Sequence, residues 1–351
     1  MTVGYLYHPV FLEHRQTDHP ENPARLEAIM SRLRREGMLN QLVDLPFTPA
    51  SQDQLGRVHD PTYIVTLEQF ARQGGGMVDS DTYVNSASFR AASAAAGAAI
   101  AATRSVLTGT VQRAFALVRP PGHHASADQA GGFCLFNNVA FAVRQALGDL
   151  NPSDSSEQIN KVLIVDFDIH HGNGTQAIFY MDPRVLYISM HQWPLYPGTG
   201  RIYERGSGEA IGTTVNIPLP PGVGDNGYAQ VLDEVIVPLA RRYQPGLLVV
   251  SAGYDAHWME RIYRAQMALS LKGYHHLVST LVDISNEVCR GHMVCVLEGG
   301  YDPDVLSYGV LNTFYALMEN SDRVQDPLGG SPDRETSARR VIEQVKQLNG
   351  L

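Results

Sequence analysis

The chain has 351 residues, 44% of them hydrophobic, so it is long enough to bury a large core. Length alone allows two or three domains, although single α/β domains of this size are common. Twenty-seven Lys and Arg stand against 36 Asp and Glu, and the net charge of −9 excludes the basic footprint expected of a nucleic-acid-binding face. Charged residues make up 18% without a long single-sign run, which excludes a wholly disordered chain. Cys134, Cys289 and Cys295 are too few for a disulfide framework and fit a reducing compartment. No basic, apolar leader opens the chain, so the expected location is cytoplasmic, with no membrane partner.

In chain order, an early helix is predicted with Asn22 as its cap and Pro23 in its first turn. The Ala-rich Ser88–Leu107 stretch predicts a buried helix; Ala91–Ala102 is too short, and too close to Arg104, to span a membrane. After it come a strand at Ala114–Val118, a helix at Asn137–Leu147, a polar surface loop at Asn151–Asn160 and a strand at Val162–Phe167. Strands at Val185–Met190 and Thr214–Pro218 precede a helix at Tyr228–Tyr243 and a strand at Leu247–Ser251. A helix at Leu271–Cys289, a strand at Met293–Leu297 and a helix at Asp304–Glu319 follow. Beyond about Ser321 the chain reads as loop, then a short amphipathic helix with Val341, Ile342, Val345 and Leu348 on one side. Strands alternating with helices predict one α/β domain with a mostly parallel sheet, whose ligands bind beyond the carboxyl ends of the strands.

Four of those strand ends carry chemistry. In Asp166-Phe-Asp168-Ile-His170-His171-Gly-Asn173, side-chain alternation would put Asp166, Asp168 and His170 on one side. Three ionisable groups where a buried strand runs out need compensation, and a divalent cation supplies it; a polar strand end satisfied by backbone and water is the plainer reading of a lone Asp-x-His. Arg119-Pro-Pro-Gly-His123-His124 offers two imidazoles on a tight loop, Ser251-Ala-Gly-Tyr-Asp255 adds an acid, and Glu298-Gly-Gly-Tyr301 presents a phenol. Each alone could be an ordinary loop; four after four strands point to a site. The chain has no H-E-x-x-H helix, G-x-S-x-G elbow or phosphate-binding loop, and its only lysines, Lys161, Lys272 and Lys346, lie outside the clusters.

At these residues the chain resembles the histone deacetylase family, which includes bacterial acetylpolyamine amidohydrolases. The matching strings are His19-Pro-Glu-Asn-Pro-Ala-Arg25, Arg119-Pro-Pro-Gly-His-His-Ala, Gly132-Phe-Cys-Leu-Phe-Asn-Asn, Asp166-Phe-Asp-Ile-His-His-Gly-Asn-Gly-Thr-Gln, Tyr196-Pro-Gly-Thr-Gly, Ser251-Ala-Gly-Tyr-Asp-Ala and Glu298-Gly-Gly-Tyr. Asn173 and the Glu-Gly-Gly-Tyr form resemble the class II branch. The resemblance implies a single-domain, three-layer arginase-like α/β fold with about eight sheet strands, residues 1–320 forming the catalytic domain and 321–351 an extension.

It also implies zinc ligands Asp168, His170 and Asp255, a set that suits Fe2+ as well. His123 and His124 match the tandem active-site histidines, with Asp166 and Asn173 behind them; His124 is implied as the main general base and acid. Tyr301 matches the oxyanion donor, Gly132, Phe133 and Tyr196 the substrate tunnel, and Arg25 a position near the inner channel. A monovalent cation, K+, is implied at Asp166, Asp168, His170, Ser189 and Met190.

The expected reaction is hydrolysis of acetyl-lysine or a related acyl-amine, with acetylpolyamine hydrolysis second; a homo-oligomer is compatible with it. A two-manganese ureohydrolase is disfavoured because Ala256 and His257 follow Asp255 where a second acid is needed, and a non-catalytic acyl-lysine binder because the matching catalytic positions are filled. One departure bears on substrate choice: His257–Met267 is longer than the loop many class II members show. Acids selecting a polyamine would come from Glu260, Asp18 or Asp81, since Ile262 or Tyr263 stands at the selective loop position.

Overall fold

A computed structural model describes residues 1–150 and 159–351, so most of the polar stretch read as a surface loop lies outside the described residues. Ten strands form among the described residues: β1 Val3–Leu6, β2 Val43–Asp44, β3 Gly75–Met77, β4 Tyr83–Asn85, β5 Arg113–Ala116, β6 Val162–Asp166, β7 Val185–Gln192, β8 Thr214–Leu219, β9 Leu247–Ala252 and β10 Met293–Leu297. Eight of them make one sheet in the order β2-β1-β5-β10-β9-β6-β7-β8, with every pairing parallel. Every residue of β6, β9 and β10 is buried, as continuous apolar runs require when helices cover both faces. The helices Ser88–Leu107 and Asn138–Ala146 pack together against β5, β9 and β10; Ala24–Arg35, Pro303–Leu317 and Leu271–Cys289 pack on one another in a second layer. The outcome is the expected single α/β domain around an eight-stranded parallel sheet.

Several elements differ from the sequence reading. Strands β1 and β2 are short and interrupted by Gly4 or exposed at both residues, and the β3–β4 hairpin begins on two glycines, so none shows a readable period. The helix Pro61–Arg72 was legible but unread: Asp60 Oδ1 caps it at Thr62 N, and Pro61 fills its first turn. The helix expected at Tyr228–Tyr243 is instead Asp225–Val231, a wide π-type turn at Leu232–Ile236, and Val237–Tyr243. Pro238 explains the break, because it cannot donate back to Glu234. The early helix starts one residue later than expected, at Ala24 with Pro23 in the cap position, and Asn22 Oδ1, just before it, accepts from Ala24 N at 2.9 Å. No described helix is long and apolar enough to cross a membrane.

The end of the chain packs back onto the domain through the helix Arg339–Asn349. Ile342 and Val345 of the helix Arg339–Asn349 are fully buried, and that helix contacts β8. Thr336 N donates to Gly222 O at 2.8 Å, and Glu335 Oε1 accepts from Gly224 N and Gly227 N. Ile342→Ala is therefore expected to destabilise the whole domain by about 2–4 kcal/mol through the cavity it leaves, read as a single cooperative shift in thermal unfolding; an unchanged Tm would mean that this segment folds apart from the core.

Candidate active site

The four chemistry-bearing loops follow β5, β10, β9 and β6, which are four adjacent strands in the middle of the sheet. Parallel strands end on one side, so their loops converge there. The alternation argument for Asp166, Asp168 and His170 needs correcting. The β6 ladder stops at Asp166, and Asp168 and His170 sit in a bend where Asp168 Oδ1 accepts from His170 N at 2.9 Å. The bend still brings the groups together.

His170 Nδ1 lies 3.1 Å from Asp168 Oδ1 and 3.2 Å from Asp255 Oδ2. Backbone amides hold the carboxylates in place, Gly299 N donating to Asp168 Oδ2 at 2.8 Å and Ile169 N to Asp255 Oδ1 at 3.0 Å. One ring hydrogen serves only one acceptor, and Asp255 Oδ2 is left buried without a hydrogen-bond donor. Ligand atoms of these three buried residues all fall within 4.8 Å of one another. Two carboxylates converging on one imidazole nitrogen, one oxygen unsatisfied, make a donor set that fits a divalent cation. Burial and Asp168 raise the Asp255 carboxyl to about 6; burial opposes charge on His170, but the two carboxylates outweigh it and raise the imidazole to about 9.

The paired histidines lie with ring centroids 4.0 Å apart, their planes tilted by 47°, and have different partners. His123 Nδ1 meets Asp166 Oδ2 at 3.1 Å, whereas His124 Nδ1 meets Asn173 Oδ1 at 2.7 Å. Burial disfavours charge on both. For His123 the acids Asp168 and Asp166 overcome it, raising the imidazole to about 10. For His124 burial acts with the neighbouring His123 and His170, holding it well below the usual histidine value. With Asn173 Oδ1 accepting, Nδ1 of a neutral His124 carries the hydrogen and Nε2 the lone pair.

A cavity of about 530 Å³ reaches these groups, lined by Gly132, Phe133, His124, His170, Tyr196 and Tyr301. Tyr196 and Tyr263, 43% and 76% exposed, mark its outer end. Phe133 meets Tyr301 edge to face at 5.7 Å, and Tyr196 meets His124 similarly at 5.0 Å. Gly132 has φ +53°, and a Cβ there would lie 2.3 Å from His124 Cδ2, so both backbone and space require glycine. Asp81, Ile262, Tyr263 and Arg264 complete the rim. Asp18 is exposed and does not line the cavity, and Glu260 turns inward, 5% exposed, so neither reaches the position proposed for it from sequence. Of the residues expected around a monovalent cation, Asp166 pairs with Ser189 across β6 and β7, Met190 is buried beside them, and Ser189 Oγ is 2.9 Å from His191 Nδ1.

Sequence reading missed the buried ion network behind the site. Arg119 grips both oxygens of Glu21, with Nη2–Oε2 at 2.7 Å, and Arg25 Nη1 reaches Glu21 Oε1 at 3.1 Å. Arg25 Nε donates to Gly300 O at 2.7 Å, and its guanidinium lies 5.0 Å from the Tyr301 ring centre. These contacts span up to 275 residues, beyond any local motif. Glu298 was read only as part of a loop; its Oε2 accepts from Gly122 N and His123 N at 2.7 and 3.1 Å.

A parallel α/β sheet whose central strand ends gather an acid–imidazole–acid cluster and a histidine pair is suited to metal-assisted hydrolysis. The profile of the histone deacetylase domain matches residues 19–317. A probable deacetylase of Archaeoglobus fulgidus is 42% identical over 99% of this chain and 98% of its own length. A histone deacetylase-like amidohydrolase of Pseudomonas aeruginosa is 34% identical over 88% of this chain and 80% of its own. The crystal structure of the HDA15 HD domain superposes with a TM-score of 0.88 at 32% identity, covering 99% of this chain and 94% of that one. The chain belongs to the histone deacetylase family and is a hydrolase of the deacetylase class.

The Glu21 network gives a pH test. Burial disfavours the Glu21 carboxylate, but Arg119 and His14 more than offset this and hold its pKa well below 4.5. A carboxyl depressed on folding adds stability that is complete above its unfolded-state value and lost as pH falls toward the folded one. Glu21→Gln should cost about 3–5 kcal/mol near pH 7 by stranding buried arginine charge. Its deficit should shrink as the pH falls below about 4.5, measured by urea unfolding at each pH; a deficit constant from neutral to acid pH refutes the assignment.

Proposed function

We propose that this chain is a zinc-dependent deacetylase that hydrolyses the acetyl amide of acetyl-lysine, or of a related acyl-amine, to free amine and acetate. The observation that carries it is the convergence of Asp168, His170 and Asp255 beside His124 at a cavity walled by Phe133 and Tyr196. Asp168, His170 and Asp255 would hold the ion, which when bound acts as a Lewis acid and lowers the pKa of water. His124 takes the proton of the attacking water at Nε2 and returns it to the departing amine. Burial pushes the Tyr301 phenol well above its usual value, so it stays an O–H donor for the oxygen that becomes negative. His123, protonated against Asp166, adds fixed positive charge. Phe133 and Tyr196 clasp the methylene stem and exclude water.

The finer assignments rest on the same residues. Residues 1–320 are the catalytic domain and 321–351 an extension that buttresses it, a division supported by the match over residues 19–317. A K+ ion at Asp166, Asp168, His170, Ser189 and Met190 is supported by their joint burial. The buried free cysteines support a reducing compartment such as the cytoplasm, and the net charge of −9 supports a substrate other than nucleic acid. Purified protein should carry one equivalent of transition metal, Asp255→Asn should lower metal content and turnover together, and His124→Ala should lose about 10²–10⁴-fold in kcat with the metal retained. Full turnover after chelation would remove the metal from the reading.

Substrate choice follows from the rim. Asp81 is the one acid in this cavity's lining among the described residues, Arg264 lines it as well, and Glu260 faces away. Acetyl-lysine is therefore favoured over an acetylpolyamine, whose distal ammonium needs more than one acid at the mouth. Comparing kcat/KM for an acetyl-lysine peptide and acetylputrescine tests this; a hundredfold preference for the polyamine, about 2.7 kcal/mol, would reverse it.

A further inference from the structure

The segment after Asp255 shapes the mouth through Ile262, Tyr263 and Arg264, yet its one acid points the other way. Glu260 Oε2 accepts from Tyr301 N at 2.8 Å and from Asp302 N at 3.2 Å, while Oε1 accepts from Arg261 N at 2.8 Å. Helix capping alone does not account for this. The helix Pro303–Leu317 already has Asp302, whose Oδ1 accepts from Asp304 N and Val305 N at 2.9 and 3.0 Å. The carboxylate sits one step earlier, on the peptide that carries the phenol. Arg25 grips the same turn from the other side, through Gly300 O and Glu298 O. Tyr301 follows Gly300 at φ +111°, a backbone state most residues avoid, so the turn depends on contacts from outside itself.

We propose that Glu260 is a positioning residue: by binding the Tyr301 amide it fixes where the Tyr301 hydroxyl points, and so ties the mouth loop to the donor that meets the developing oxyanion. This rests on the role given to Tyr301 above. Two hydrogen bonds accepted by one buried carboxylate restrain both position and tilt, and a misplacement of about 1 Å costs up to 10²-fold in rate. The effect belongs in kcat, because the hydroxyl acts on the transition state.

A double-mutant cycle on the metal-loaded full chain, with an acetyl-lysine peptide, tests it. Glu260→Ala should lower kcat about 10- to 100-fold and leave KM within about twofold. Glu260→Gln, which keeps an oxygen acceptor, should recover most of the loss. Tyr301→Phe should cost about 10²–10³-fold in kcat, and Glu260→Ala should then add less than about threefold. If Glu260→Ala does not fold, Glu260→Asp, one methylene too short to reach, runs the same cycle. Equal losses in both backgrounds overturn the proposal, as does a folded Glu260→Ala or Glu260→Asp variant with native kcat. A Tyr301→Phe enzyme with native kcat overturns the role of Tyr301 itself, and the proposal with it.

Discussion

Buried charge at the ends of the central strands is the constraint on which the rest of this structure depends. Asp166, Asp168, Asp255 and Glu298 are all at most 1% exposed and lie within one cluster of loops. Carboxylates so placed are tolerated only when paired or hydrogen-bonded. Two imidazoles, His123 and His170, supply part of the compensation, the Tyr187 hydroxyl another part, and backbone amides of Gly122, His123, Asp168, Ile169, His170 and Gly299 more. Amides can be aimed inward only if the loops turn sharply as they leave the sheet. Asp255 Oδ2 and Glu298 Oε1 are left without a donor, and the Asp255 oxygen, beside Asp168 and His170, is where an ion fits.

The same constraint explains what was legible in the sequence. Groups that compensate one another locally leave local strings: Asp-x-Asp-x-His, the His-His loop and Glu-Gly-Gly-Tyr each sit just past an apolar run, so both site and strand could be read together. The long Ser88–Leu107 and Leu271–Cys289 helices were legible to the residue because their periodicity runs over five turns. Illegible features were of two kinds. Edge strands such as Val43–Asp44 are defined by their neighbour and carry no pattern of their own. Long-range pairings such as Arg25 with Gly300, or Glu260 with Tyr301, join residues whose chemistry in isolation suggests a surface. The clearest misjudgement, treating Glu260 as a rim acid, came from assigning an acid on an irregular loop to solvent when it was needed by a backbone turn.

Behind the histidine pair, Glu21, Arg119 and Arg25 link a segment near the chain's start to the Glu298–Tyr301 loop. Arg119 begins the histidine loop, and its guanidinium also donates to Phe11 O and His14 O, so the histidines and the N-terminal segment share one anchor. Arg25 passes that restraint on to Gly300 and thus to Tyr301. One carboxylate shared between two arginines leaves a net positive charge in the interior.

The inner site and the mouth therefore obey different rules. Inside, the charged groups are held by one another and by backbone amides, and removing one strands a buried charge, so the chemistry has little freedom to vary. At the mouth, Tyr263 is three-quarters exposed and Ile262 and Arg264 belong to an irregular segment, so substitutions there cost little stability and act directly on what enters. The segment is nonetheless held at both ends. Gly222 and Val223 bond to Gln266 and Ala268, Gln192 bonds to Arg264 and Gln266, and Trp258 Nε1 bonds to Gly329 O in the C-terminal segment. A loop clamped at its ends and free at its centre can change specificity without moving the catalytic groups, and Glu260, between those two regions, is the point at which a change in the mouth would first be felt by Tyr301.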